Sequence, residues 1–214
     1  MSRQGGEKMA IKYYRSKLPF KAKKLNFEFQ LPEYFKDLIG DKKEVSVADI
    51  GAGVISITGT TWPGVNIKMV ASDFLADQYN ELWKERGMTP FVPIEKQDVE
   101  NLTYPDDSFD IVHCVNALDH CENPLKAIRE MQRVCKPGGF VYLRHIENEG
   151  EKENYAGFHQ WNITPIGDDC KFWSQDDSFI LSHHEGWKTE IKTEKENTEY
   201  KMEESVVMVW QKPI

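Results

Sequence analysis

The chain has 214 residues, of which 40% are hydrophobic and 12% aromatic, a composition typical of a globular domain with its own core. Its formal net charge of −8 makes nucleic acid an unfavourable partner, and no apolar run reaches the ~18 residues of a membrane-spanning helix. Four cysteines without zinc-site spacing predict free thiols in a reducing cytoplasm, and residues 1–10 lack the apolar core of a signal peptide.

Residues 1–40 are predicted to form a helical and basic preamble. A helix is expected at residues 32–39, because Pro32 suits a first helical turn and Gly40 suits a helix end. A basic stretch precedes it and is either solvated surface or a lip that attracts an anionic substrate or an acidic partner. Its members are Lys12, Arg15, Lys17, Lys21, Lys23 and Lys24.

Residues 41–214 are predicted to form one α/β domain. Apolar and β-branched runs indicate strands at residues 45–50, 67–72, 91–96, 109–115 and 140–145. Helices are expected at residues 77–86 and 124–135, a turn at residues 136–139, and two later strands near residues 187–192 and 205–211. Strands that alternate with helices are typical of parallel βαβ units.

Residues 147–182 show no regular pattern and are predicted to be a substrate-loop insertion. Long loops in compact domains are often functional, and this one is rich in aromatic residues. Tyr155, Trp161 and Trp173 either wall an acceptor pocket or anchor the loop to the core. We expect the segment to act as a lid that becomes ordered when ligands bind.

A glycine turn follows the first predicted strand, in the sequence Asp49-Ile50-Gly51-Ala52-Gly53. Glycine allows a sharp turn and a close approach of a ligand to the backbone, and such a turn before a helix is a common nucleotide-binding device. By itself, the turn is equally consistent with an ordinary strand-to-helix connection.

Acidic residues follow the next two predicted strands. Asp73 could accept hydrogen bonds from both ribose hydroxyls, or it could cap the following helix. Asp98 could accept a hydrogen bond from an adenine amino group, and the Val99 amide could donate one to the ring, although this stretch also resembles a plain polar loop.

The order of these motifs resembles the class I S-adenosylmethionine-dependent methyltransferases, and within them the small-molecule group called type 11. Across residues 45–145 they are the glycine turn, Asp73, Asp98-x-x-x-Leu102, Ser108-Phe109-Asp110, Leu118-x-His120 and Lys136-Pro137-Gly138-Gly139. The resemblance implies a Rossmann-like fold: a seven-stranded, mostly parallel sheet with an antiparallel last strand and helices on both faces. It also implies methyl transfer from S-adenosylmethionine to a small molecule, with oxygen as the expected acceptor atom.

The resemblance further implies which residues contact the cofactor. Gly51, Ala52 and Gly53 would lie against its methionine part, Asp73 would hold the ribose, and Asp98 with Val99 would hold the adenine. Asp49 would orient the glycine loop and the amino group. The remaining predicted contacts are Phe74, Cys114, Val115 and Asn116. The chain departs from the family pattern in two places, since Val54-Ile55-Ser56 replaces a third glycine and Asp119 replaces one member of an aromatic or His pair.

His120 is the first candidate for a general base, since an imidazole titrates in the useful range, and His159 is the second. The alternatives are that His120 caps or packs near the fourth strand and that His159 is a loop residue without a catalytic role. His183 and His184 are adjacent, and adjacent side chains point apart in a regular strand or helix, so no metal site is predicted.

Two other functions remain open at this point. A nicotinamide-dependent oxidoreductase would use Gly51-Ala52-Gly53-Val54-Ile55-Ser56 as a damaged dinucleotide fingerprint. A non-catalytic, methyltransferase-like binding subunit would be consistent with the altered glycine loop. The sequence gives no indication of the oligomeric state.

Overall fold

The computed structural model describes residues 3–182, 186–197 and 202–214. The helices are α1 (Arg3–Leu25), α2 (Phe35–Ile39), α3 (Ala76–Glu85), α4 (Pro124–Val134) and α5 (Glu149–Lys152), and Leu118–His120 forms a 3-10 turn. The strands are β1 (Glu44–Ile50), β2 (Asn66–Asp73), β3 (Ile94–Lys96), β4 (Phe109–Val115), β5 (Cys135–Ile146), β6 (Asn162–Ile166), β7 (Asp169–Trp173), β8 (Ser178–Leu181), β9 (Lys188–Asn197) and β10 (Met202–Gln211).

Seven strands form the main sheet in the order β3-β2-β1-β4-β5-β10-β9. Strands β1 to β5 pair in parallel, whereas β10 runs antiparallel to both β5 and β9. This confirms the predicted seven-stranded sheet with an antiparallel last strand. The strand order changes direction between β1 and β4, and the carboxyl ends of parallel strands open a ligand crevice at such a point.

The central strands are buried because helices cover both faces of the sheet. On β4, Ile111 packs with Phe35 of α2, whereas its neighbour Val112 packs on the opposite face with Ile128 of α4. Burial of each such side chain contributes ~1.5–3 kcal/mol. Helix α4 begins after Asn123, whose side-chain oxygen accepts a hydrogen bond from the backbone N–H of Lys126.

The preamble, predicted to be helical with a helix placed only at residues 32–39, also contains a 23-residue helix, α1. Leu18 and Ala22 bury one side of α1 against Tyr79 and Trp83 of α3. The pattern was missed because most of the helix is polar and basic. The second helix of this region, expected from residue 32, begins at Phe35. No helix that the structure describes combines the length and apolarity needed to span a bilayer.

The glycine turn after β1 does not lead into a helix, which corrects the expectation of a helix N-terminus there. Residues 51–65 form an irregular connection between β1 and β2. Gly59 has a φ of +79°, and a Cβ at this position would lie 2.7 Å from the backbone oxygen of Gln30. Pro63 and Gly64 follow within the same stretch, so the local sequence also disfavours a helix.

The predicted substrate loop is a folded subdomain rather than an irregular segment. Strands β6, β7 and β8 pair in a three-stranded antiparallel sheet after the short helix α5. Ile163, Cys170 and Phe172 are fully buried in the same core cluster as α4. The strand pattern was missed because Pro165 and Gly167 interrupt it.

The predicted turn at residues 136–139 is part of strand β5, with an irregular register opposite Phe109 and Ile111. Lys136 and Lys42 bind the carboxylate of Asp110 at 2.8 and 2.9 Å, and the Ser46 hydroxyl donates to it at 2.7 Å. These contacts tie β1, β4 and β5 together and hold the pKa of Asp110 far below its usual range, although burial opposes the shift.

All four cysteines are free and buried, as predicted for thiols. Burial raises the pKa of Cys114 well above its usual value. Burial therefore favours the neutral form of this core thiol.

Candidate functional site

The main cleft opens at the carboxyl ends of β1, β2 and β4. It holds about 850 Å³ of space outside the protein atoms, open solvent at its mouth included. Its lining residues are Ala10, Tyr14, Ile50, Gly51, Gly53, Ser72, Asp73, Phe74, Leu75, Tyr79, Gln97, Asp98, Val99, Glu100, Asn116, Ala117, His120, Cys121, Glu122 and Phe158.

Asp73 joins the glycine turn to the start of α3. Its Oδ2 accepts a hydrogen bond from the Gly53 backbone N–H at 2.9 Å, and its Oδ1 accepts one from Leu75 at 2.8 Å. Burial raises the pKa of the Asp73 carboxyl, although these two donors favour its charged form. A carboxylate has about four lone-pair positions, so each oxygen retains capacity for one further donor in the cleft.

Gly53 requires the absence of a side chain. Its φ is +68°, and a Cβ there would lie 2.9 Å from the Tyr14 hydroxyl. Tyr14 comes from α1 and packs edge-to-face against Tyr79 of α3 with ring centroids 5.2 Å apart. Helix α1 therefore closes one side of the main cleft, a role that the sequence analysis missed because only distant contacts reveal it.

The opposite wall of the main cleft follows β3. Asp98 accepts a hydrogen bond from the Glu100 backbone N–H at 3.0 Å, which shapes the turn that presents Val99. Oε1 of Glu100 in turn accepts from the backbone N–H groups of Glu122 and Asn123 at 2.7 and 3.1 Å. Glu100 thus fixes the segment after the 3-10 turn to this wall, and the sequence analysis did not single it out.

Seven of the eleven predicted cofactor residues line the main cleft: Gly51, Gly53, Asp73, Phe74, Asp98, Val99 and Asn116. The other four do not. Ala52 packs against Ala71 and Ala76, and Cys114 is buried in the core behind the strand. Val115 is also outside the cleft lining.

Asp49 is the fourth of these residues and faces away from the main cleft. Its Oδ2 accepts a hydrogen bond from Ser56 at 2.6 Å, and its Oδ1 lies 2.9 Å from Nδ1 of His113. Asp49 therefore holds the connection after the glycine turn rather than a ligand amino group. Nε2 of His113 also lies 2.9 Å from the Tyr34 hydroxyl, so the buried polar chain extends to the helical N-terminal region.

The two predicted catalytic histidines meet at Asp119. Nδ1 of His159 lies 2.7 Å from Oδ2 of Asp119, and Nε2 of His120 lies 3.3 Å from both of these atoms. We call these three side chains the His–His–Asp cluster. His120 lines the main cleft, whereas His159 lines neither cleft.

The two imidazoles of the His–His–Asp cluster have pKa values that are shifted in opposite directions. Burial lowers the pKa of His120 despite the nearby Asp119. Burial opposes a charge on His159 as well, but the hydrogen bond to Asp119 and the charges of Asp119, Glu149 and Glu153 together outweigh it, so the pKa of His159 is raised. Burial likewise opposes a charge on Asp119, yet His120 and His159 outweigh it, so the pKa of Asp119 is lowered.

A second cleft of about 1,020 Å³, open solvent included, lies beside the main one. The two clefts share His120, Cys121, Glu122 and Phe158. Tyr155 and Trp161, two of the predicted substrate residues, line the second cleft. Trp161 is also mostly buried and donates from Nε1 to the Cys121 backbone oxygen at 3.0 Å, so it both walls the cleft and anchors the subdomain.

Trp173 lies outside both clefts. Its Nε1 donates to the Thr164 hydroxyl at 2.9 Å, within the three-stranded sheet. Of the two roles that the sequence left open for Trp173, the structure supports the anchoring one. His183 and His184 lie outside the described residues.

The chemistry of the main cleft fits S-adenosylmethionine. Its described lining includes the carboxyl groups of Asp73, Asp98, Glu100 and Glu122 and no Lys or Arg. The sulfonium and ammonium groups of the cofactor outnumber its carboxylate, so an acidic cleft attracts it. Asp73 would hold the ribose, and the methyl group on sulfur is the reactive carbon that the cofactor supplies.

Comparisons with known proteins agree with this geometry. Residues 48–143 match a family model described as a methyltransferase domain. The chain is 28% identical over 117 residues to methyltransferase GfsG of Streptomyces halstedii, which covers 51% of this chain and 41% of that protein. It is 33% identical over 111 residues to the uncharacterized methyltransferase YcgJ of Bacillus subtilis, which covers 50% of this chain and 44% of that protein. The chain thus spans less than half the length of either relative.

The fold is also known from solved structures. A crystal structure of a SAM-dependent methyltransferase from Methanosarcina mazei superimposes with a TM-score of 0.52 at 14% identity, over 87% of this chain and 100% of that one. This likeness shows that the chain shares the fold of that structure.

Proposed function

We propose that the protein transfers the methyl group of S-adenosylmethionine to an oxygen atom of a small molecule. The observation that carries this proposal is the junction of the two clefts at His120, Cys121, Glu122 and Phe158. A cofactor in the main cleft and an acceptor in the second cleft would meet there. Close and oriented reactants account for much of the rate of such a transfer.

The residues of the main cleft divide between the parts of the cofactor. Gly51 and Gly53 lie against the methionine part, where a side chain would obstruct it. Asp73 accepts the ribose hydroxyls, and Asp98 with Val99 faces the adenine. Phe74 and Asn116 complete the wall, whereas Asp49, Ala52, Cys114 and Val115 support the site from behind.

The chemical step is an in-line displacement. Bound in the main cleft, S-adenosylmethionine would supply a methyl carbon on a cationic sulfur that can leave as a neutral thioether, and the clefts would align an acceptor oxygen behind that carbon. A hydroxyl acceptor loses its proton in the process, so the site must favour its deprotonation. The His–His–Asp cluster at the junction is the group of side chains placed to do so. Phe158 and Trp161 help to exclude water.

The acidic main cleft also bears on the alternative of a nicotinamide-dependent oxidoreductase. A dinucleotide carries an anionic pyrophosphate, which favours a helix N-terminus and basic side chains. Residues 51–65 form no helix, and four carboxyl groups line the cleft. These features favour a cationic cofactor over a dinucleotide. They also favour a small-molecule acceptor over a nucleic acid. The second alternative, a non-catalytic binding subunit, would bind S-adenosylmethionine in the same cleft but would not transfer its methyl group to an acceptor.

Calorimetric titration tests the first half of the proposal. S-Adenosylmethionine and S-adenosylhomocysteine are expected to bind with one site per chain, whereas NAD is not. Turnover is then followed as S-adenosylhomocysteine release with a panel of hydroxylated small molecules and a matched panel of amines. NAD binding in place of S-adenosylmethionine would refute the proposal, and methylation of amines alone would refute oxygen as the acceptor.

A further inference from the structure

The His–His–Asp cluster brings three metal-binding atoms to one point in the fold. These are Oδ2 of Asp119, Nε2 of His120 and Nδ1 of His159, which all lie within 4.8 Å of one another. We propose that the cluster binds one divalent ion of a first-row transition metal. No metal site was predicted from the sequence, because His159 lies 39 residues after His120 and no local spacing connects them.

The distances within the cluster match ligands around a common centre. The three separations are 2.7, 3.3 and 3.3 Å. Ligands at ~2.1 Å from an ion are ~3.0 Å apart at right angles and ~3.4 Å apart at tetrahedral angles. By contrast, the two 3.3 Å separations are long for hydrogen bonds, for which ~2.9 Å is usual. Only the contact between His159 and Asp119 has the length of a normal hydrogen bond.

The ligand set also indicates the class of metal. Two imidazole nitrogens with one carboxylate oxygen suit iron(II), zinc or cobalt(II), whereas magnesium and calcium prefer oxygen ligands alone. Three protein ligands leave coordination positions free, as in catalytic rather than structural metal sites. The Asp119 side chain is 6% exposed and that of His120 is 35% exposed, so the free positions would face the clefts.

Backbone hydrogen bonds hold the cluster in place independently of its three side chains. The Asp119 backbone oxygen accepts hydrogen bonds from the N–H groups of Gln160 and Trp161 at 2.9 and 3.2 Å. The side chain of Trp161 donates to Cys121 on the other side of the 3-10 turn. The segment that carries His159 is therefore fixed to the turn that carries the other two ligands, which preorganises a binding site.

A metal ion at this junction could polarise a bound hydroxyl and lower its pKa, which would promote the loss of its proton. This use of the ion rests on the proposed function, whereas metal binding itself does not. The test is therefore made without S-adenosylmethionine and without an acceptor.

The experiment measures metal binding to the tag-free chain after treatment with a chelator. Zinc and cobalt(II) are titrated in competition with a chromophoric chelator, the bound metal is counted by mass spectrometry, and the cobalt absorption spectrum reports nitrogen and oxygen ligands. We expect about one ion per chain, and an affinity reduced by at least ~10-fold in each of Asp119→Asn, His120→Gln and His159→Gln. These substitutions leave the backbone contacts of Asp119 intact, and circular dichroism checks the fold.

Asp77→Asn is the control, because this exposed carboxylate pairs with Lys96 and lies outside both clefts and the cluster. It is expected to retain the wild-type zinc affinity. Absence of a bound ion from the wild-type chain would overturn the proposal, as would unchanged affinity in all three cluster variants. A wild-type chain that binds zinc but not S-adenosylmethionine would leave the metal site standing and refute the proposed function instead.

Discussion

Asp73 is the residue whose replacement tests the cofactor assignment most directly. Its carboxylate is buried at the end of β2 and already accepts two backbone N–H groups, from Gly53 and Leu75. Asp73→Ala removes the acceptor for both, together with the acceptor that we assign to the ribose hydroxyls. Asp73→Asn keeps the shape and one oxygen, but its amide NH₂ group cannot accept a hydrogen bond.

The size of the effect follows from the number of donors left without a partner. Each buried donor that loses its acceptor costs ~1–3 kcal/mol. The ribose contact alone therefore predicts an S-adenosylmethionine affinity reduced by roughly 5- to 150-fold. Loss of the contacts to Gly53 and Leu75 also loosens the glycine turn and the start of α3, which predicts a lower Tm, more so for the Ala variant than for the Asn variant.

Calorimetric titration well below the Tm of each variant separates binding from stability. Asp77→Asn is the matched control, since it removes a carboxylate from α3, the helix that follows Asp73, and its side chain is exposed and paired with Lys96. Its affinity is expected to remain close to wild type, because exposed ion pairs contribute only ~0–1 kcal/mol. Folded Asp73→Asn and Asp73→Ala chains that bind the cofactor as the wild type does would refute the ribose assignment.

Three further predictions concern the surroundings of the site. Gly53→Val is expected to abolish S-adenosylmethionine binding in a folded chain, since a Cβ there meets the Tyr14 hydroxyl; normal binding by calorimetry would contradict this. Asp110→Asn is expected to lower the free energy of unfolding by ~1–3 kcal/mol at neutral pH. Because the folded pKa of Asp110 is depressed, this difference is present above ~pH 4 and shrinks at lower pH, and equal losses at every pH in denaturant titrations would refute the ion pairs. Trp161→Ala is expected to lower the Tm, since Trp-to-Ala changes in a core cost ~3–5 kcal/mol. An unchanged Tm, or rapid hydrogen exchange in β6 and β7 without ligand, would contradict this prediction. Either result would favour a mobile lid at residues 147–182 over a rigid wall of the second cleft.

The main sheet could be predicted from the sequence because its signals are local. The runs at β1 and β4 are apolar and bounded by turns, and burial on both faces makes such runs continuous rather than alternating. The predicted bounds of β4 match the structure, those of β2 and α3 differ by one residue at each end, and those of α4 differ by one residue at the end of the helix. Asp73 could be identified as a residue of the cleft for a similar reason, since a side chain at the carboxyl end of a parallel strand lies at the ligand-binding edge of the sheet.

Elements without a strong local pattern were predicted less well. Helix α1 is mostly polar and basic, so its helical period is weak, and its contacts with α3 lie more than 50 residues away. The subdomain β6–β8 contains Pro165 and Gly167, which usually indicate loops, yet pairing between its strands and burial of Phe172 outweigh these signals. Asp49 occupies the expected strand position, but its carboxylate turns towards Ser56 and His113, which no local pattern indicates.

The sequence by itself determined the order of strands β1 to β5 with helices α3 and α4, and the carboxylate that lies in the cleft at the end of β2. Only the tertiary structure brought His159 to Asp119 and His120, and it did so through strand pairing and the contacts of Trp161 and Gln160. The reason is physical: secondary structure depends on neighbours a few residues apart, whereas a site depends on side chains brought together by packing over long stretches of chain.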